Sequence, residues 1–181
     1  YIICLNMFCM PWISTGTFVY QSFISSSKSW GPYVMAQSFM AYSILSVITL
    51  FLSGFLIDKF TSRRLLLYMN IPILIAVIIL FLFESFISAF VILGLYGISN
   101  GLTNLLGSST WAEIYGVQYI GSIKALSTAI MVFSTAFGTA LFGFLIDIGF
   151  TIQDISVIAM ILIIIPLVML FSIKNKLNPT Y

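Results

Sequence analysis

Charges and turn residues break an otherwise apolar chain at only a few points, leaving six stretches at roughly 1–24, 34–57, 65–83, 86–111, 125–146 and 155–173. Each is an uncharged run of the ~18 or more residues that a helix needs to cross hydrocarbon. A closed barrel, the other structure that satisfies its backbone in lipid, would need short alternating strands, and these long apolar runs lack that alternation. The pattern therefore predicts an all-α fold, an integral membrane six-helix bundle lodged in a lipid bilayer.

The spans differ in character. Residues 65–83 contain no Gly, Ser or Thr, and 155–173 contains only Ser156 and Ser172 of these types. The third and sixth spans are thus expected to be lipid-facing jackets around the other four, which carry the polar groups. On the fourth span, Tyr96, Asn100, Thr103, Asn104, Gly107 and Trp111 fall within an arc of about 100° at helical spacing, a polar stripe suited to lining a cavity. Gly94, Gly97, Gly101 and Ser108 occupy the neighbouring arc, and the Gly97-x-x-x-Gly101 pair suits close helix approach. The plainer reading is that Asn100 and Asn104 only bond neighbouring helices; six stripe positions favour the cavity. On the first span Asn6, Ser14, Thr17, Tyr20 and Gln21 share a sector of about 120°, with Pro11 able to kink the helix. Ser14 and Thr17 are equally well explained as hydroxyls bonded back to their own helix. Tyr20 and Gln21 are the better candidates for orienting an oxygen-bearing solute.

The pentapeptide Gly-Phe-Leu-Ile-Asp occurs at Gly54–Asp58 and again at Gly143–Asp147, three spans later. Because three is odd, the copies end on opposite membrane faces, as expected of a 3+3 inverted repeat with one unit at about 1–83 and the other at about 84–174. Lys59, Arg63, Arg64, Lys124, Lys174 and Lys176 fall on one side of the threaded chain and Lys28 on the other. The positive-inside bias then puts both ends of the segment in the cytoplasm.

Composition supports this picture and narrows the chemistry. Hydrophobic residues make up 61% of 181 positions and charged residues 7%, far from the balance of a soluble domain. A net charge of +2 without a basic tract argues against a nucleic-acid partner. Cys4 and Cys9 are spaced poorly for a bridge within one helix and read as buried thiols. The chain has no His, no metal-ligand cluster and no carboxylate pair inside a span; Glu84, Asp147 and Asp154 sit near predicted interfaces. An intramembrane enzyme, a metal site and a cofactor are therefore not expected. The start at Tyr1, with no initiator Met or signal peptide, suggests a fragment of a longer protein.

Between the second and third spans the chain reads Gly54-Phe-Leu-Ile-Asp58-Lys59-Phe-Thr-Ser-Arg63-Arg64. This resembles the G-x-L-x-D-R/K-x-G-R-R/K loop of the major facilitator superfamily, departing from it at Thr61 and Ser62. Trp111-Ala-Glu113-Ile-Tyr115-Gly116, Gly121, Lys124-Ala-Leu, Gly138 and the second pentapeptide are similar to helices ten and eleven of that superfamily. The branch suggested is the bacterial one akin to monocarboxylate and oxalate–formate carriers, some of which have His-Gln where this chain has Tyr20-Gln21. The resemblance covers all 181 residues as helices seven to twelve and implies a missing N-terminal six-helix half. It further implies a secondary active transporter in the inner membrane, moving a small solute such as a monocarboxylate or other small organic anion by alternating access. A channel and a non-transporting membrane subunit are the alternatives. The resemblance assigns Gly54, Asp58, Lys59, Arg63, Arg64, Glu113 and Lys124 to a cytoplasmic gate in which Glu113 pairs with Arg63 or Arg64. It leaves Thr17, Tyr20, Gln21, Tyr96, Asn100, Asn104 and Trp111 to the solute path.

Overall fold

The computed structural model describes residues 2–116 and 118–173. Lys174 and Lys176, which contribute to the expected orientation, lie outside the described residues. The described chain is all helical: α1 (Ile2–Val19), α2 (Gln21–Ser27), α3 (Val34–Phe60), α4 (Ser62–Leu66), α5 (Ile71–Leu82), α6 (Phe86–Tyr115), α7 (Ile120–Asp147) and α8 (Ile152–Ser172). With α4 and α5 counted as one span, six helical segments are long and apolar enough to cross a membrane.

Local sequence explains most of the boundaries. Thr61 stands at φ 67°, ψ 146° between α3 and α4, a region that a side chain enters only at a cost. Pro72 occupies the first turn of α5, where its missing N–H is not needed. Ser85 caps α6 and Gly116, at φ 73°, ends it. α8 opens with a capping box in which Thr151 and Asp154 bond each other's backbone N–H. The expected first span of 1–24 is broken at Tyr20, after which α2 begins; Pro11 lies within the unbroken α1.

α6 packs along α3, α1 along α7, and α5 lies between α6 and α8, with α8 also reaching α1. The first two pairs approach at backbone distance. A Cβ on Gly101 would lie 2.8 Å from the Ser46 carbonyl and from Thr49 Cβ, and Gly97 sits on Tyr42 and Ser46. Gly138 rests on the Trp12 backbone. The core between these pairs is built around Trp12, Ile13, Ile92, Leu93, Tyr96 and Phe142.

Within the described chain the third and sixth spans are better buried than α3 and α7. In the apolar windows 44% of the third span and 33% of the sixth are buried, against 6% for α3 and 22% for α7. Lack of Gly, Ser and Thr keeps backbones apart but does not keep side chains out of the core: Ile73, Ala76, Val77 and Leu80 of α5 are all buried. The exposed helix is α3, which shows Met40, Phe51 and Phe55 on its outer face.

Buried amides tie the bundle across the chain. Asn70 donates to both the carbonyl and the side-chain oxygen of Asn6, at 2.9 and 3.1 Å, and Asn6 donates to the Pro166 carbonyl at 2.8 Å. Pro166 has no N–H to offer the carbonyl four residues earlier. That carbonyl, on Leu162, lies 4.0 Å from the Cys9 thiol.

Candidate functional site

Because the glycine face of α6 is seated on α3, its polar stripe turns toward α1 and α7. The three helices enclose a cleft of about 480 Å³ lined by Ser14, Thr15, Asn100, Thr103, Asn104 and Lys124, among others. Asn100 donates to the Ser46 hydroxyl at 2.9 Å, and Asn104 donates to the Asn100 backbone carbonyl at 2.9 Å and its side-chain oxygen at 3.1 Å. Thr103 returns its hydroxyl hydrogen to the Ser99 carbonyl, and Ser14 to that of Met10. Asn104 and Lys124 are exposed. The cleft thus offers amide, hydroxyl and ammonium groups that can meet a polar solute.

A second space of about 770 Å³ continues between the same three helices toward the end of the bundle that holds Glu113. Its walls are apolar, drawn from Phe8, Ile123, Leu126 and Ile130, together with Cys4 and Trp111. Ser127 borders both spaces. Trp111 is 5% exposed, and its buried indole N–H has no hydrogen-bond partner among the described residues.

The other expected path residues lie elsewhere. Thr17 and Tyr96 are buried in the core with their hydroxyls 3.2 Å apart. Tyr20 stacks on Phe142, ring centres 6.4 Å apart, with its hydroxyl against Gly143. Gln21 borders a separate pocket of about 540 Å³ with Ser22, Ser25, Ser26 and Trp30. The polar sector of α1 therefore divides among core, cleft and outer end.

At the opposite end of α1 from Tyr20, α4 meets the end of α6. Arg63 Nη2 donates to the Glu113 carbonyl at 2.6 Å. Its Nε lies 3.2 Å from Glu113 Oε1 as an ion pair, too poorly aligned to count as a hydrogen bond. Glu113 Oε2 accepts the Ser62 backbone N–H at 3.0 Å and the Ser62 hydroxyl. The carboxylate thereby caps α4, whose N-cap residue Thr61 makes no side-chain cap bond. Asp58, Lys59 and Arg64 are exposed, and the Lys59 ammonium lies 5.4 Å from the Phe60 ring centre. A Cβ on Gly54 would meet nothing within 4 Å. Asp147 ends α7, exposed, at the end of the bundle that holds Tyr20.

Lys28, between α2 and α3, is 3% exposed with no hydrogen-bond partner at Nζ among the described residues. Burial pushes its ammonium below the usual lysine range, with the Glu84 charge opposing. Trp30 Nε1 donates to the Glu84 carbonyl at 2.7 Å, joining the two connections. Ser46, Ser62, Asn70 and Ser127 also take part in these arrangements without having been singled out in sequence. Ser62 alone left a signal, as a departure from a motif.

Among the described residues no group of three or more His, Cys, Asp or Glu is placed to hold a metal. No known family model, characterised protein or solved structure matches the chain. What the fold defines is an all-helical bundle with six candidate spans and a mixed polar and apolar groove among α1, α6 and α7.

Proposed function

We propose that the chain is one six-span half of a secondary active transporter of the major facilitator type, carrying a small organic solute across the inner membrane by alternating access. Both of its ends face the cytoplasm. The cleft of about 480 Å³ carries this reading, since it sets polar side chains inside a bundle whose composition otherwise suits hydrocarbon.

Two features support the repeat. The principal pairings exchange when each span is replaced by the one three places along, α1 with α7 becoming α6 with α3 and α5 with α6 becoming α8 with α1, although the contact of α6 with α7 has no counterpart of similar extent between α1 and α3. The two pentapeptides are 89 positions apart, and the same offset relates Trp12 and Gly138, in contact across α1 and α7, to Gly101 and Thr49, in contact across α6 and α3. The exposed apolar faces of α3 and α7 suit a second six-span half.

Proteoliposomes preloaded with unlabelled solute should accumulate labelled solute transiently against its gradient. With the full-length protein reconstituted, uptake without such counterflow points to a channel, and no uptake at all to a non-transporting subunit. Topology has its own check in a background lacking Cys4 and Cys9: Asp58→Cys and Asp147→Cys should react with impermeant maleimide from opposite faces of intact vesicles. Reaction from one face removes the inverted repeat.

A further inference from the structure

The groove is a poor match for a solute of only a few atoms. Its larger part, about 770 Å³, is walled by Phe8, Ile123, Leu126 and Ile130, and its smaller part, about 480 Å³, holds Asn104, Thr103 and Lys124. The two meet at Ser127, whose own hydroxyl is bonded to the Lys124 carbonyl at 3.0 Å. Cavities of this size hold ligands that bury most of an apolar surface and are oriented by a few polar contacts. The polar groups here are concentrated at one end, and among the described residues Lys124 is the cation that lines the groove. At the apolar end the Trp111 N–H has no hydrogen-bond partner among the described residues.

We propose, resting on the carrier reading above, that the solute is an amphipathic organic anion. Its anionic head meets Lys124 and Asn104 in the polar chamber, and its larger apolar body lies against Phe8, Ile130 and Trp111. A charge-assisted contact at Lys124 fixes the head, while burial of the body supplies most of the affinity. An ether or carbonyl oxygen on the body would find the Trp111 N–H.

Cys4 lines the apolar chamber and is half-buried, whereas Cys9 is 1% exposed. The rate at which N-ethylmaleimide modifies Cys4, read on the full chain in nanodiscs, therefore reports occupancy of that chamber. The probes are 3-phenylpropionate, its neutral alcohol 3-phenylpropanol, and propionate. The first should protect Cys4 at concentrations at least about tenfold lower than either of the others, the factor that ~1.4 kcal/mol provides. Lys124→Gln, at an exposed position, should raise the protecting concentration of 3-phenylpropionate to that of the alcohol and leave the alcohol unchanged. Equal protection by propionate means a small-anion site, and equal protection by the alcohol means that the head needs no charge; either overturns the proposal. Protection by none of the three also overturns it, while the carrier reading stands or falls separately on counterflow.

Discussion

Glu113→Gln tests the junction between α4 and α6. The wild-type carboxylate makes three contacts: an ion pair with Arg63 at 3.2 Å, and hydrogen bonds from the Ser62 N–H and hydroxyl. The ion-paired side chains are 23% and 28% exposed, so solvent limits that pair to about 0.5–1 kcal/mol. The cap is worth more: an acceptor at a helix start contributes ~1 kcal/mol, and its negative charge adds about 0.3–1 kcal/mol. Glutamine keeps one acceptor oxygen but loses the charge, so Glu113→Gln should cost about 1–2 kcal/mol. Glu113→Ala, which leaves the Ser62 N–H without its acceptor, should cost about 3 kcal/mol. Arg63→Ala alone also removes the bond to the Glu113 carbonyl and should cost about 1–2 kcal/mol. In the Glu113→Gln background the cost of Arg63→Ala should fall by the ion-pair contribution, about 0.5–1 kcal/mol. Denaturant unfolding in micelles, followed by circular dichroism, measures the wild type and all four variants. Full additivity would refute the ion pair, and a Glu113→Ala variant no less stable than Glu113→Gln would refute the capping argument.

Thr61→Gly should raise stability by about 1 kcal/mol, because relief of a strained backbone worth ~1–3 kcal/mol outweighs the extra freedom glycine brings to the unfolded chain; a lower unfolding midpoint contradicts the strain. Lys28→Met should stabilise by about 1 kcal/mol near neutral pH through removal of a buried ammonium that has no hydrogen-bond partner among the described residues. The folded-state pKa of Lys28 is lowered, so the unfolded chain binds more protons between that value and 10.5, and wild-type stability should rise with pH through this window while the Lys28→Met curve stays flatter. Gly138→Ala should cost about 1–3 kcal/mol by forcing α7 off the Trp12 backbone, whereas Gly54→Ala, with open space at its Cβ, should be neutral or stabilising in the same unfolding assay.

The spans were legible because hydropathy over a bilayer's thickness is a strong local signal, and their ends shifted by only a few residues except at Tyr20. The glycine face of α6 was equally legible, since three small residues at helical spacing admit a neighbouring backbone whatever that neighbour is. Burial of whole helices was not. An apolar side chain that faces lipid, a partner or the core has the same hydropathy, so α3 and α5 could not be ranked from composition. The division of the α1 sector was hidden for a related reason: Thr17 finds its partner at Tyr96 and Asn6 finds Asn70, 79 and 64 residues away. Glu113 capping Ser62, across 51 residues, is likewise a long-range contact, which a loop motif can flag only as a departure.

The distribution of close contacts bears on how such a bundle can move. Gly97 and Gly101 seat α6 on the backbone of α3, and Gly138 seats α7 on that of α1. Backbones in contact cannot slide without lifting side chains over one another, so each pair behaves as one body. The Asn6–Asn70 bonds and the contact of Asn6 with Pro166 then fasten α1 to α5 and α8. Few internal joints are left: the break at Tyr20, the strained Thr61, and the charged corner at Glu113, all at helix ends. The least covered surfaces are the long faces of α3 and α7. In the carrier proposed above, motion would be concentrated between this bundle and a second half seated on those faces, and Arg63 and Glu113 would then be tested as a gate.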